Sequence, residues 1–349
     1  MSTFPTSPEI VNNALLLATL PNLSVPYFLT QVIAGATIHT RNRLVIVLFS
    51  RHFNVRPAFP STFPEIQGLS HTKSWDPVQR ILTFTYVQAT KVAWEANKIE
   101  MQVDVLLKGL NEDLEQDLGK DMDIVFRVGG DSIAVPLPES ISFLRQSYLP
   151  AGERNPEEQT MTTEGTPSPT ASSLPPFYPV SVIGGTFDHL HAGHKILLSM
   201  AAYITSQKLI VGITDDALLQ NKANKEVLEN LDVRTGHVRN FINFFKPSII
   251  PYITPIVDVY GPTSWDPNIQ ALVVSKETIS GAEAIASHRQ KHNLPTLQLF
   301  LIDVISATTA SLDHEDAAWL KNNKLSSTFI RQWIVDQEKQ KEEEGEVVQ

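Results

Sequence analysis

From residue 178 onward, continuous apolar runs alternate with helical patterns, and this alternation limits the folds open to the chain more than any other feature. YPVSVI is followed by HKILLSMAAYIT, and KLIVGIT by VRTGHVRNFINFF; IIPYITPI comes next, then IQALVVS with TISGAEAIASHRQKH, and LQLFLIDVI with SSTFIRQWIVD. Strands that are apolar along their whole length have to be covered on both faces, which calls for a parallel sheet between layers of helix, an open α/β fold. Such sheets bind ligands outside the carboxyl ends of their strands, where the strand order reverses. The stretch IGGTFDHLHAGH, 183–194, lies there, between the first strand and its helix.

Upstream, AGERNPEEQTMTTEGTPSPTASSLPP has almost nothing to bury and predicts a disordered linker over 151–176. The linker divides the 349 residues into a domain at 1–150 and a second at 177–337, followed by a charged tail, 338–349, expected to fray. In the first domain RLVIVLFS at 43–50, RILTFTYVQ at 80–88 and KIEMQVDVLL at 98–107 read as strands, whereas IVNNALLLATL could open as a helix. A mixed α/β domain is expected. Gly129-Gly130-Asp131 reads as a turn, and no internal repeat of fixed period is visible.

Composition narrows the function classes. The longest apolar candidate for a membrane helix, Ala14 to Leu20, is stopped by Pro21, well short of the roughly 20 residues needed. No Lys or Arg precedes Arg41, so the amino terminus lacks the basic region of a signal or transit peptide; a cytoplasmic protein is expected, with the nucleus as an alternative. Zero cysteines exclude a disulfide framework, a thiolate metal site and a cysteine nucleophile. A formal net charge of -10 disfavours nucleic-acid binding but leaves room for a local cationic pocket for a small anion.

His189, His191 and His194 beside Asp188 admit two chemistries. An H-x-H pair near a carboxylate can hold zinc, which would make the chain a metal-dependent hydrolase. Against this, Gly193 stands where a metallohydrolase HxHxDH pattern needs an acid. The second chemistry is phosphate binding. Gly184 and Gly185 end the strand and admit a phosphate to the backbone, the helix start offers amides and a positive dipole end, and His191 and His194 can converge as donors. His189 lies outside this frame and reads as structural, and Asp188 as a cap of the turn. No metal ligand set is expected.

GGTFDHLHAGH, with Thr186 and Phe187 in place, resembles the (H/T)xGH signature of the nucleotidyltransferase superfamily, and LSSTFIR, 325–331, resembles its second signature, ISSTxxR. TDDALLQNK with VR at 233–234, VDVYGPTSWDP at 257–267 and VSKETISGAEAI at 274–285 further resemble eukaryotic phosphopantetheine adenylyltransferases. The resemblance covers roughly 178–335 and implies a Rossmann-like sheet. Without any P-loop, the chain looks like the monofunctional, fungal type.

The resemblance implies transfer of AMP from ATP to 4′-phosphopantetheine, with magnesium carried on the nucleotide. It assigns His194 to the α-phosphate, His191 to the ATP phosphates, Thr186 to the acceptor phosphate and Lys222, or its neighbour Lys225, to developing charge. Ser326, Ser327 and Thr328 would hold the β- and γ-phosphates, with Arg331 supporting them. Arg234 is either a ligand or a helix-surface arginine, Arg289 the solvated face of its helix, and Trp265 either a cover for the pantetheine arm or a loop residue packed on its own domain. Two rival readings are a cytidylyltransferase acting on a phosphorylated alcohol and a scaffold whose first domain assembles other enzymes of coenzyme A synthesis. The partners expected are ATP and 4′-phosphopantetheine, with association among coenzyme A enzymes open and neither nucleic acid nor membrane.

Overall fold

The computed structural model describes residues 9–54, 70–152, 174–302 and 326–347. The chain divides into two units, 1–174 and 175–349. Most of the expected linker, 153–173, lies outside the described residues. No helix among the described residues is long and apolar enough to cross a membrane.

In the first unit the strands are β1 (Val11–Thr19), β2 (Thr40–Phe49), β3 (Gln102–Lys108), β4 (Ile124–Val128) and β5 (Arg145–Leu149). Among the described residues they form a five-stranded sheet in the order β3-β2-β1-β4-β5, with every pairing parallel. The α/β expectation holds, but two local expectations fail. The stretch IVNNALLLATL is central strand β1, with Leu15, Leu16 and Leu17 fully buried; an unbroken apolar run fits a two-faced buried strand as well as a helix. RILTFTYVQ is not a strand but part of helix α2 (Trp75–Glu95), which follows α1 (Thr30–Ile38). This helix is buried almost all round from Ile81 to Ala89, so it shows no polar face that would reveal a 3.6-residue period. A short helix α3 (Glu139–Ser142) precedes β5.

The second unit follows the alternation read from the sequence. Strand β6 (Tyr178–Gly185) leads to α4 (Ala192–Ile204), β7 (Thr205–Thr214), α5 (Leu231–Phe245), β8 (Ile250–Ile256), β9 (Ala271–Ser275), α6 (Ile279–Lys291) and β10 (Gln298–Ile302). The described strands again form a parallel five-stranded sheet, in the order β10-β9-β6-β7-β8. Ile183, Leu209, Val211, Ile196 and Leu198 are fully buried between sheet and helices, each stabilising the unit by about 1.5–3 kcal/mol.

The last helix, α7 (Ser327–Val347), runs past Glu338, where the tail was expected to fray. Its charged run is built of Glu, Lys and Gln, strong helix formers, with Lys339 and Glu343 at the i, i+4 spacing that supports an exposed helix.

One lysine closes the joint between α4 and β7. The Lys246 ammonium donates to the carbonyls of Ala202 (3.0 Å) and Thr205 (2.7 Å), so the last turn of α4 meets a positive charge at the negative end of its dipole. Lys246→Met should lower unfolding stability by about 1.5–3 kcal/mol, the range for hydrogen bonds to a charged group. An unchanged urea midpoint would show that the cap contributes nothing.

Candidate active site

Strand β6 lies between β7 and β9, the point at which strand order reverses, and the loop 186–191 leaves its carboxyl end there. Phe187 (φ 52°) and His189 (φ 44°) both adopt the left-handed backbone that side chains disfavour. Buried contacts hold them in it. The Phe187 ring is fully buried against the end of the strand, and a Cβ on Gly185 would come within 3.1 Å of that ring. A side chain at Gly185 would therefore crowd Phe187, whereas a Cβ on Gly184 would meet nothing nearer than 3.7 Å.

The same loop is braced from 227–229. The Glu229 amide donates to Asp188 Oδ1 (3.0 Å), the His189 amide to Glu229 Oε2 (2.9 Å), and His189 Nε2 faces the Val227 carbonyl at 2.8 Å. A ring nitrogen facing a carbonyl carries the proton, so His189 is committed to the loop. Asp188, His189 and Glu229 converge closely enough to suggest a cation site. Their donor atoms are already engaged, Asp188 with an arginine described below, so the group does not fit a resident metal ion.

His191 caps α4, its Nδ1 accepting from the Gly193 amide at 3.2 Å. His194, one turn on, stacks against it with ring centroids 3.9 Å apart and lies 5.3 Å from the Phe187 ring. Both rings are recessed but keep partial access to solvent. Burial pushes His194 down to about 4 despite the opposing charge of Asp188. His191 is also lowered well below its ordinary value, first by burial and then by the basic groups of His194, Lys195 and His189 around it, which oppose a further positive charge. The pair is accordingly neutral at pH 7. Because Nδ1 of neutral His191 accepts a hydrogen bond, its proton sits on Nε2, which leaves an N–H donor. His194 Nδ1 has no hydrogen-bond partner among the described residues.

Helix α7 begins on this loop. Ser326 accepts from the Phe329 amide (3.4 Å), and Ser327 Oγ donates to the Asp188 carbonyl at 2.8 Å, 139 residues away in sequence. Arg331, only 2% exposed, pairs with the Asp188 carboxylate and donates through Nε to the Ala223 carbonyl (2.9 Å) and through Nη2 to Thr328 Oγ1 (3.3 Å). The resemblance implied a phosphate contact for Arg331; here its charge neutralises a fully buried carboxylate instead. Thr328 is exposed at the helix start.

Arg234 is neither a surface residue nor free. It is fully buried and donates to the carbonyls of Glu229 (2.9 Å), Thr186 (2.7 Å) and Thr214 (2.9 Å) and to the Asp216 carboxylate. It thus ties the ends of β6 and β7 to the 229 loop. Lys222 and Lys225 are exposed on the segment after β7, and the Lys222 side chain has no partner among the described residues. Arg289, expected on a solvated face, is 1% exposed and holds the carbonyls of Thr263 (2.7 Å), Asp266 (3.1 Å) and Pro295 (2.7 Å). Trp265, in the loop that Arg289 fixes, is 63% exposed, so most of it faces solvent. Asp216 and Glu229 went unread in the sequence, since their work is to receive backbone and arginine donors that no local motif announces.

Residues 182–332 match the family model described as cytidylyltransferase-like. The chain is 46% identical over 155 residues to phosphopantetheine adenylyltransferase of Saccharomyces cerevisiae and 42% identical over 153 residues to an uncharacterized protein of Schizosaccharomyces pombe, in each case over 44% of this chain. It spans about half the length of these two fungal relatives, 48% and 47%. It is 33% identical over 150 residues to phosphopantetheine adenylyltransferase of Pyrobaculum aerophilum, a match that takes in 43% of this chain and 88% of that protein. Through its second unit the chain belongs to the phosphopantetheine adenylyltransferase family of cytidylyltransferase-like proteins.

Proposed function

We propose that this chain transfers AMP from ATP to 4′-phosphopantetheine, releasing pyrophosphate and giving dephospho-coenzyme A. The observation that carries the reading is the neutral, stacked pair His191 and His194 at the start of α4, recessed at the point where strand order reverses. An oxygen of the acceptor phosphate attacks the α-phosphorus, and the bond to the bridging oxygen of pyrophosphate breaks. The acceptor phosphate oxygen is already a nucleophile at neutral pH, so the chemistry asks for alignment and charge stabilisation rather than for an activated serine.

In this reading His194 donates to the α-phosphate and the Nε2–H of His191 to the neighbouring ATP phosphates. The Thr186 hydroxyl orients the acceptor phosphate at the end of β6. Exposed Lys222, with Lys225 nearby, offsets charge as pyrophosphate leaves. The amides of Ser327 and Thr328 and the hydroxyls of Ser326 and Thr328 serve the β- and γ-phosphates at the positive end of α7. Arg331 and Arg234 act from behind, as positioning residues for the loop. Magnesium arrives on the ATP, consistent with Asp188 being engaged by Arg331. Exposed Trp265 is the proposed cover for the pantetheine arm.

His194→Ala should leave a folded protein and lower turnover on the order of 100-fold or more, the effect of losing one preorganised donor. Pyrophosphate release at the wild-type rate would end the assignment. Purified protein should use ATP and not CTP with 4′-phosphopantetheine; efficient use of CTP with a phosphorylated alcohol would favour the cytidylyltransferase reading.

The neutral histidines also set a pH dependence. His194 titrates near 4 when folded and near 6.5 when unfolded, so the unfolded chain binds more protons between those values. Its contribution to stability is complete above 6.5 and is lost as pH falls towards 4. Urea midpoints taken from pH 7.5 to 5 should therefore drop further for the wild type than for His194→Gln. Parallel curves would show that His194 is not held neutral by the fold.

A further inference from the structure

The two units repeat one another in hydrogen-bond register. Counted from its own first strand, each sheet has the order 3-2-1-4-5. Val11 faces Thr40 and Asn13 faces Arg43 across an irregularity of β1; Tyr178 faces Thr205 and Val180 faces Lys208 across the same irregularity of β6. The other pairings keep step. Arg43 meets Gln102 as Lys208 meets Ile250, Ala14 meets Ile124 as Ser181 meets Ala271, and Ile124 meets Arg145 as Ala271 meets Gln298.

Side chains repeat as well. Thr40 and Thr205 open β2 and β7, and each returns its hydroxyl to the carbonyl four residues back, Ala36 at 2.7 Å and Ala201 at 2.6 Å. Lys98 caps the end of α1 through the carbonyls of Thr37, Ile38 and Thr40, and Lys246 caps the end of α4 through those of Ala202, Tyr203 and Thr205, the same three positions. A parallel α/β sheet requires the right-handed crossovers but not these shared details.

We propose that the described residues of the first unit, 9–54 and 70–152, are a second copy of the nucleotidyltransferase fold with its phosphate crevice filled, so that each chain holds nucleotide at one site only. The proposal rests on the reading of His191 and His194 as the phosphate donors. Following the register, fully buried Leu17 and Ala18 stand where Gly184 and Gly185 end β6, and Thr19 stands where Thr186 does. Counted back from Thr40 and Thr205, Pro26 and buried Leu29 replace His191 and His194.

Amides at this helix start are already engaged. Tyr27, Leu29 and Thr30 donate to the carbonyls of Val25, Pro26 and Tyr27, and Pro26 has no N–H. The Thr19 amide is held by the Asp131 carboxylate at 2.7 Å, a negative charge where a phosphate would have to approach. The fold's register and the threonine at the strand end are kept here, while Gly184, Gly185, His191 and His194 are each replaced.

Equilibrium binding of a non-hydrolysable ATP analogue with magnesium to the full-length protein tests this. One equivalent per chain is expected for the wild type and for Asp131→Asn, and less than a tenth of that occupancy for the His191→Ala, His194→Ala double variant at the same analogue concentration. Two equivalents in the wild type, a full equivalent persisting in the double variant, or loss of the equivalent in Asp131→Asn would overturn the proposal. If the wild type binds none, the first unit is still silent and it is the reading of the second unit that fails.

Discussion

The candidate site depends on one buried ion pair, Asp188 with Arg331. Neither residue is appreciably exposed, and removing one partner of such a pair typically costs about 3–5 kcal/mol, because the other charge is left without water or counter-charge. The pair is therefore a strict coupling rather than a decoration. Through it the loop carrying the histidines and the helix carrying the serines become one rigid piece, and Ser327, bonded to the Asp188 carbonyl, adds a second fastening a few ångströms away. The left-handed turns at Phe187 and His189 persist because this assembly over-determines them.

Burial also decides the character of the histidines. In water imidazole near neutral pH is a mixture of charged and neutral forms; in the crowded crevice both rings are held neutral, and the Gly193 amide selects which nitrogen of His191 bears the proton. In the proposed AMP transfer, a neutral donor with a fixed direction suits charge that shifts between phosphate oxygens. Arg234 works on the same principle one layer back, holding the carbonyl ends of two strands so that Thr186 keeps its place.

What could be read in the sequence was what local pattern carries. The strands and helices after residue 178 announce themselves by alternation, and HAGH and SSTFIR announce themselves as helix starts rich in donors. The roles of Arg234, Arg289 and Arg331 could not be read, because an arginine that binds backbone carbonyls or a distant carboxylate looks like any surface arginine in one dimension. Helix α2 was misread as strand for the opposite reason: a helix surrounded by protein loses the polar face by which helices are recognised. The correspondence between the two units left little trace, since register is carried by backbone hydrogen bonds that many side chains satisfy; Thr40 with Thr205 and Lys98 with Lys246 kept both identity and contact.

The joining of Ser327 and Arg331 to Asp188 has a consequence for the order of synthesis. A ribosome makes the histidine loop and the described strands well before α7, so a growing chain carries Asp188 without the Arg331 counter-charge until α7 emerges. The candidate site is thus completed only after the strands that frame it have been made, and a chain interrupted short of Arg331 holds both histidines without the ion pair that braces their loop.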